Sequence, residues 1–333
     1  MGHAGWSLAV SVLMLDVGDW AEENVDGCDL GDVRRTRRAV TVARQMAEHP
    51  DGSTPDQAED WSDLKAMYRL FDADEATFTT LATPHWRHTR TLARGTVLLI
   101  GDTTETDFGI RRSVPGLGPT GDGYGLGFFL HSSMMVDAVS GEILGLAGQE
   151  LFYRQPVPKH ENSYQKLQRS RESEVWGRVV ELVGPPAAGV RFVHVFDRDA
   201  DNLDVLCHCR AQRTDWVIRA AQWHRVVEEV HRVVEEADEE QVGERDGPQR
   251  LSLRAVLAKQ PLSGTYELSV GATKDHEART ARMQVRFARV TIRRPKRRTK
   301  YQRQIGFQEL TQWVVETREV DPPKGVTPLH RFD

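Results

Sequence analysis

Through its first ninety residues the chain sets apolar against polar positions with the period of a helix. Between residues 32 and 47 the apolar side chains fall on one arc, arginines take the rest, and Asp32 stands where an N-cap belongs. The spacing predicts a second helix over 56–71 and a third over 75–92, interrupted or restarted near Pro84, with Pro50 to Pro55 as a loop. After Arg94 the period shortens to that of strands. Residues 96–100 form a compact apolar strand that ends at Gly101-Asp102-Thr103-Thr104. Two more strands, 128–136 and 143–152, are joined by a turn. A helix over 162–183, a strand over 190–196 ending at Asp197, a helix over 202–212 and a strand over 215–220 follow.

Three strands in hairpin succession, then helix, strand, helix and strand, predict an α/β class with the mixed sheet of RNase H-like folds. From 226 to 320 the pattern is β-rich, with strands near 265–270, 281–292 and 310–316. The expected organisation is a helical domain over 20–94 behind an N-terminal segment 1–19, and the first part of the core over 95–225. A β-rich insertion over 226–320 and the start of the remaining core over 321–333 complete it.

At 333 residues with 39% hydrophobic, 28% charged and 8% aromatic side chains, the chain is long enough for about two domains with a substantial core. Cys28, Cys207 and Cys209 cannot make a disulfide framework and match no paired zinc spacing, so a reducing, cytoplasmic setting is expected. The apolar stretch 6–15 is too short to span a bilayer and lacks a basic flank and a cleavage site. The formal net charge of −5 hides an uneven distribution. Eleven Lys or Arg and no acid lie between Arg279 and Gln308, densest over Arg293 to Arg303, while nine acids lie between Glu228 and Asp246. Inside that acidic stretch His224-Arg225-Val226-Val227-Glu228-Glu229-Val230 is repeated almost unchanged over 231–237, which reads as a local duplication in a solvated insertion.

Asp102 and Asp197 each follow an apolar strand, where side chains project into the crevice at the edge of an α/β sheet. Either aspartate alone is explained as well by a cap or a turn. If their strands are neighbours, the two carboxylates converge and need a cation between them; Mg²⁺ or Mn²⁺ suits such oxygens and supports phosphodiester cleavage.

Four stretches carry a more specific resemblance: Leu30 to Arg38, Ile100-Gly101-Asp102-Thr103-Thr104, Val195-Phe196-Asp197-Arg198-Asp199-Ala200-Asp201, and Val320-Asp321-Pro322-Pro323-Lys324-Gly325 through Leu329. In this order they resemble bacterial cut-and-paste DDE transposases of the IS-four type, close to the Tn-five-like branch. The resemblance implies a helical domain that binds transposon-end DNA, and an RNase H-like domain whose two aspartates and one glutamate hold Mg²⁺. It assigns Asp102 and Asp197 to the aspartates and sets Arg219 near the DNA; Glu172 and Trp176 fall in a matching stretch without a role. The family's glutamate lies beyond the Pro-Pro-Lys-Gly segment, and the chain ends at Asp333 before it. The expectation is therefore a truncated transposase, impaired alone and without the family's dimerisation helices. Glu309, Glu316 and Glu319 read as solvated sheet-face charges.

For double-stranded DNA the candidates are Arg34, Arg35, Arg37 and Arg38 on one helix and Lys65 and Arg69 on another, with Arg219 and, in the basic run, Arg297 and Arg298. Against them, residues 1–95 hold 10 basic and 16 acidic groups. The run at 293–303 reads equally as a DNA grip and as a mobile loop. Gly116-Leu117-Gly118-Pro119-Thr120-Gly121 has dinucleotide-loop spacing but leads into a strand, so it reads as a hairpin loop. Cys207-His208-Cys209 on a helix reads as packing. The expected function is metal-dependent DNA cleavage and strand transfer at transposon ends; the alternatives are a non-catalytic fragment occupying those ends and an RNase H-like nuclease of another kind.

Overall fold

The computed structural model describes residues 16–109, 115–121, 123–154, 160–162, 165, 171–230, 250–272 and 277–332. Segment 6–15, most of the first half of the helix expected over 162–183, and the second copy of the heptad lie outside them.

Two compact units divide the chain, one formed by the helices up to Ala93 with Ile143–Gly148, the other by Arg94–Glu142 and Gln149–Asp333. The helical unit holds α1 (Val17–Val25), α2 (Val33–Glu48), α3 (Thr54–Gln57), α4 (Trp61–Phe71) and α5 (Phe78–Leu92). Asp32 caps α2 as its position suggests, its carboxylate accepting from the Arg34 N–H at 2.8 Å, and Asp60 caps α4 through the Asp63 N–H. Ala39 and Val42 of α2 and Met67 and Leu70 of α4 bury their apolar arcs with Cys28 and Leu30. The helix expected over 56–71 starts only at Trp61, because Asp60 takes the cap. Helix α5 runs unbroken through Pro84, contrary to the interruption expected there, and the Thr83 hydroxyl donates to the Thr79 carbonyl beside it. Helix α1 was not foreseen; its N-terminus is capped by Asp16.

The second unit holds two sheets. The first contains β1 (Thr96–Asp107), β2 (Gly118–Thr120), β3 (Gly125–Asp137), β5 (Arg191–Phe196) and β6 (Asp215–Ile218), in the order β2-β3-β1-β5-β6; β4 (Ile143–Phe152), whose residues 143–148 are counted with the helical unit, pairs with β3. β1 runs antiparallel to β3 and parallel to β5, and β5 runs parallel to β6. Helices α6 (Val175–Val183) and α7 (Leu203–Ala211) connect and follow β5. The glycine run at 116–121 contributes β2, which pairs with the start of β3, so it belongs to a hairpin.

The second sheet orders β12 (His330–Phe332), β11 (Glu309–Val320), β10 (Arg279–Arg293), β7 (Val226–Glu229) and β8 (Arg250–Ser252), with β9 (Gly264–Val270) also on β10. Helices α8 (Leu253–Lys259) and α9 (Lys300–Gln304) accompany it. The first copy of the heptad is thus part strand, with Val227 and Glu228 buried rather than solvated. Residues 330–332 close this second sheet instead of returning to the first. Glu316 and Glu319 are buried, not solvated: Glu316 lies against His330 and Arg286, Glu319 against Arg279. Among the described residues no helix is long and apolar enough to cross a membrane.

Candidate functional site

The parallel register of β1 with β5 pairs Ile100 with Val195 and stops there. Asp102 and Asp197 each lie two residues further on, so they share a face of the sheet on strands ~4.8 Å apart. Asp102 lies inside β1, not past its end, since the antiparallel ladder with β3 continues to Asp107 opposite Gly127. What ends near Asp102 is the neighbour on the β5 side, and that opens the crevice. Its floor depends on Gly101: a Cβ there would stand 2.5 Å from the Phe196 ring and 3.3 Å from Trp176.

Both aspartates line one cleft of about 450 Å³, together with Glu105, Asp199, Glu172 and Arg154. Asp102 Oδ1 accepts from the Thr103 N–H at 2.7 Å and Asp197 Oδ1 from the Asp199 N–H at 2.9 Å. The capping role that competes with chemistry for each aspartate is therefore real, but it occupies one oxygen only. Among the described residues neither carboxylate forms an ion pair. Glu172 and Arg154 do, through two hydrogen bonds of 2.8 and 3.1 Å, and Arg154 also stacks over Phe129 and donates to the Gly121 carbonyl. Glu172 thereby takes a place on the cleft wall that the sequence left without a role.

Behind Asp102 the Thr103 hydroxyl contacts His131 Nδ1 at 2.8 Å. The imidazole is buried, edge-on to Trp176 with centroids 4.3 Å apart. Burial pushes His131 down to about 4 against the pull of the Asp102 charge, so the ring is neutral near pH 7. On α7, burial pushes the Cys207 and Cys209 thiols up to about 12, and His208 pairs with Glu181 and stacks on Tyr301. This cluster is packing, as expected. Among the described residues no group of three or more His, Cys, Asp or Glu is arranged to hold a metal ion. A two-carboxylate site still fits Mg²⁺, which commonly takes one or two protein carboxylates and fills its remaining positions with water and substrate phosphate.

The predicted DNA-binding residues divide by their partners. Arg35 pairs with Glu75 at 2.7 Å and Arg38 with Asp63, whereas Arg34 and Arg37 on α2 are exposed and make no ion pair among the described residues. Lys65 lies over the exposed Trp61 ring, and Arg69 is exposed on the same helix. In the basic run, Arg293 is committed to Glu228 and Glu309, while Arg297 and Arg298 have no acidic partner among the described residues. The run leads into α9, which Thr299 and Gln302 tie to Asp204. Arg219 lines a separate pocket with Arg198, Trp223, Arg254, His330 and Arg331. Of these, Arg254 and Arg331 carry no signal along the chain, because they reach the pocket from a helix and a strand far from Arg219 in sequence.

Residues 17–76, which span α1 to α4, match the family model described as transposase DNA-binding. Among solved structures the chain is similar to the piggyBac transposase synaptic complex with hairpin DNA at 9% identity and a TM-score of 0.32, over 88% of this chain and 53% of that one. The chain thus spans about half the length of that protein, and a score so low carries no argument about fold or chemistry. The match over 17–76 links the helical unit, by itself, to DNA binding of the transposase kind.

Proposed function

We propose that this chain is a transposase-type protein whose helical unit binds double-stranded DNA and whose first sheet, RNase H-like in its strand order, supports metal-dependent phosphodiester cleavage and strand transfer. One observation carries the reading: Asp102 and Asp197, distant along the chain, enter one cleft from parallel neighbouring strands, each accepting a backbone hydrogen bond at Oδ1 and neither in an ion pair among the described residues. Two like charges so placed repel, and a shared divalent cation removes that cost. Asp102 and Asp197 would hold Mg²⁺ or Mn²⁺, which lowers the pKa of bound water and stabilises charge on the leaving oxygen. Thr103 and Asp199 supply the N–H groups that fix the two carboxylates. His131, neutral and buried, anchors the Thr103 hydroxyl, and the Arg154–Glu172 pair walls the cleft.

Supercoiled plasmid carrying the chain's cognate ends tests this, with Mg²⁺ or Mn²⁺ added or chelated. The expected result is slow metal-dependent nicking, the rate that two carboxylates support, which Asp102→Ala and Asp197→Ala each reduce by more than ~10²-fold, the scale on which single charge-stabilising groups act. Cleavage that survives in both variants sinks the assignment. Duplex binding without cleavage under any metal favours the second reading, a non-catalytic occupant of transposon ends, which the match of residues 17–76 supports independently.

A further inference from the structure

We infer that the basic pocket beside the cleft is a second phosphate site, which holds the backbone of the nucleic-acid strand next to the phosphodiester gripped at Asp102 and Asp197. This deepens the function proposed above and rests on it. The pocket, of about 370 Å³, is lined by Arg198, Arg219, Arg254, Arg331, His330 and Trp223, with Ala220 and Ala221, and no carboxylate is among its walls. Among the described residues Arg198, Arg219 and Arg331 form no ion pair, and Arg254 lies over the Trp223 ring, 5.3 Å from its centroid. His330 is the one lining cation-forming group with an acidic contact, to Glu316 at 2.7 Å.

Four other arginines of this unit lie directly against acids: Arg225 against Asp201, Arg279 against Glu319, Arg286 against Glu316, and Arg293 against Glu228 and Glu309. Four guanidinium groups gathered without a counter-charge repel one another, and an anion with several oxygens relieves that repulsion through forked hydrogen bonds. The gathering is built by the backbone. The Arg219 N–H donates to the Phe196 carbonyl at 3.2 Å, and the Arg254 N–H to the Trp223 carbonyl at 3.1 Å. The buried Asp201 carboxylate accepts from the Ala221 and Gln222 N–H groups at 2.8 and 2.7 Å, which pins the loop carrying Trp223. Arg331 arrives on β12, opposite Thr317 of β11. The side chains after β5 then part: Asp197 and Asp199 line the acidic cleft, and Arg198 between them lines the basic pocket. A strand laid across this point presents one phosphate to each side, and the half-buried Trp223 offers a ring face to the sugar or base between.

Fluorescence anisotropy of a labelled duplex, titrated with the 333-residue chain over a series of NaCl concentrations, tests the pocket. The variants are Arg331→Glu, the pair Arg254→Ala with Arg331→Ala, and Arg331→Lys. Each lost phosphate contact lowers the slope of log affinity against log salt by about 0.9. The expected result is binding weakened at least ~10-fold in Arg331→Glu and in the double variant, with shallower slopes, and recovered in Arg331→Lys. Affinities within twofold of wild type and unchanged slopes in both, with melting temperatures preserved, overturn the inference; if Arg331→Glu fails to fold, the double variant decides. A pocket made for free phosphate would lose its protection by inorganic phosphate in Arg331→Glu while duplex binding stayed at the wild-type level, and that too overturns it. Failure of the underlying reading looks different: the wild-type chain then shows no salt-sensitive duplex binding, or cleavage indifferent to Asp102→Ala.

Discussion

The buried acids of the second sheet and the two cleft aspartates of the first meet opposite fates. In the second sheet Glu228, Glu316 and Glu319 are buried, and each lies against arginine: Glu228 between Arg250 and Arg293, Glu316 beside Arg286 and His330, Glu319 on Arg279. Arg293 and Arg250 hold the Glu228 carboxyl below the usual carboxylate range. At the first sheet Asp102 and Asp197 are exposed in a shared cleft and carry no ion pair among the described residues. Charge that a fold requires for its own sake arrives with its partner. Charge left open beside a like charge, at the margin where a strand loses its neighbour, is paired only from outside. That contrast separates candidate chemistry from architecture more sharply than the acidity of any single residue.

The contrast breaks most visibly at the metal. Mg²⁺ is expected to raise the melting temperature of the wild-type chain and to leave Asp197→Asn unaffected, and without metal Asp197→Asn is expected to melt at or above wild type because a repulsion is gone. Equal Mg²⁺ shifts in both proteins would show that the two aspartates do not share the ion. Next in size, Glu319→Ala strands Arg279, whose side chain is only 12% exposed, and is expected to cost roughly 3–5 kcal/mol in chemical denaturation. A cost under ~1 kcal/mol would place this pair with ordinary surface bridges.

His194, buried on β5 with both ring nitrogens without a hydrogen-bond partner among the described residues, supplies a pH test. Burial pushes it down to about 3 from the ordinary 6.5, so in the fold it stays neutral where the unfolded chain takes up a proton. Its contribution is intact above pH 6.5 and is lost as pH falls toward 3, by roughly 2 kcal/mol at pH 5. His194→Leu is expected to flatten the acid limb of the stability profile by that amount; an unchanged limb refutes the assignment. The smallest effects belong to α2. Arg37→Ala is expected to lower the salt slope of duplex binding by about one without changing stability. Arg38→Ala is expected to leave the slope alone and cost about 1 kcal/mol through the loss of Asp63. The reverse pattern would mean that the paired arginine, not the open one, meets DNA.

Much of the second unit was legible along the chain because its strands are long and apolar. The strands expected over 128–136 and 281–292 appear as β3 and β10 with ends shifted by a few residues. Periodicity failed where pairing outlives hydrophobicity. β1 continues through Thr103, Thr104, Glu105 and Thr106, polar residues held by the β3 ladder. It failed also for Glu316 and Glu319, which look solvated until Arg286 and Arg279 on the neighbouring strand are seen to cover them.

By itself the sequence determined where caps fall, which faces are apolar, and that two aspartates follow apolar runs, since those are properties of residues a few positions apart. Only the tertiary structure decided that Asp102 and Asp197 stand side by side, and that Arg254 and Arg331 join Arg198 and Arg219. The register between strands and the partner of a charge are set by pairing across the sheet, and hydrogen bonds and ion pairs between distant segments leave no periodic trace along the chain.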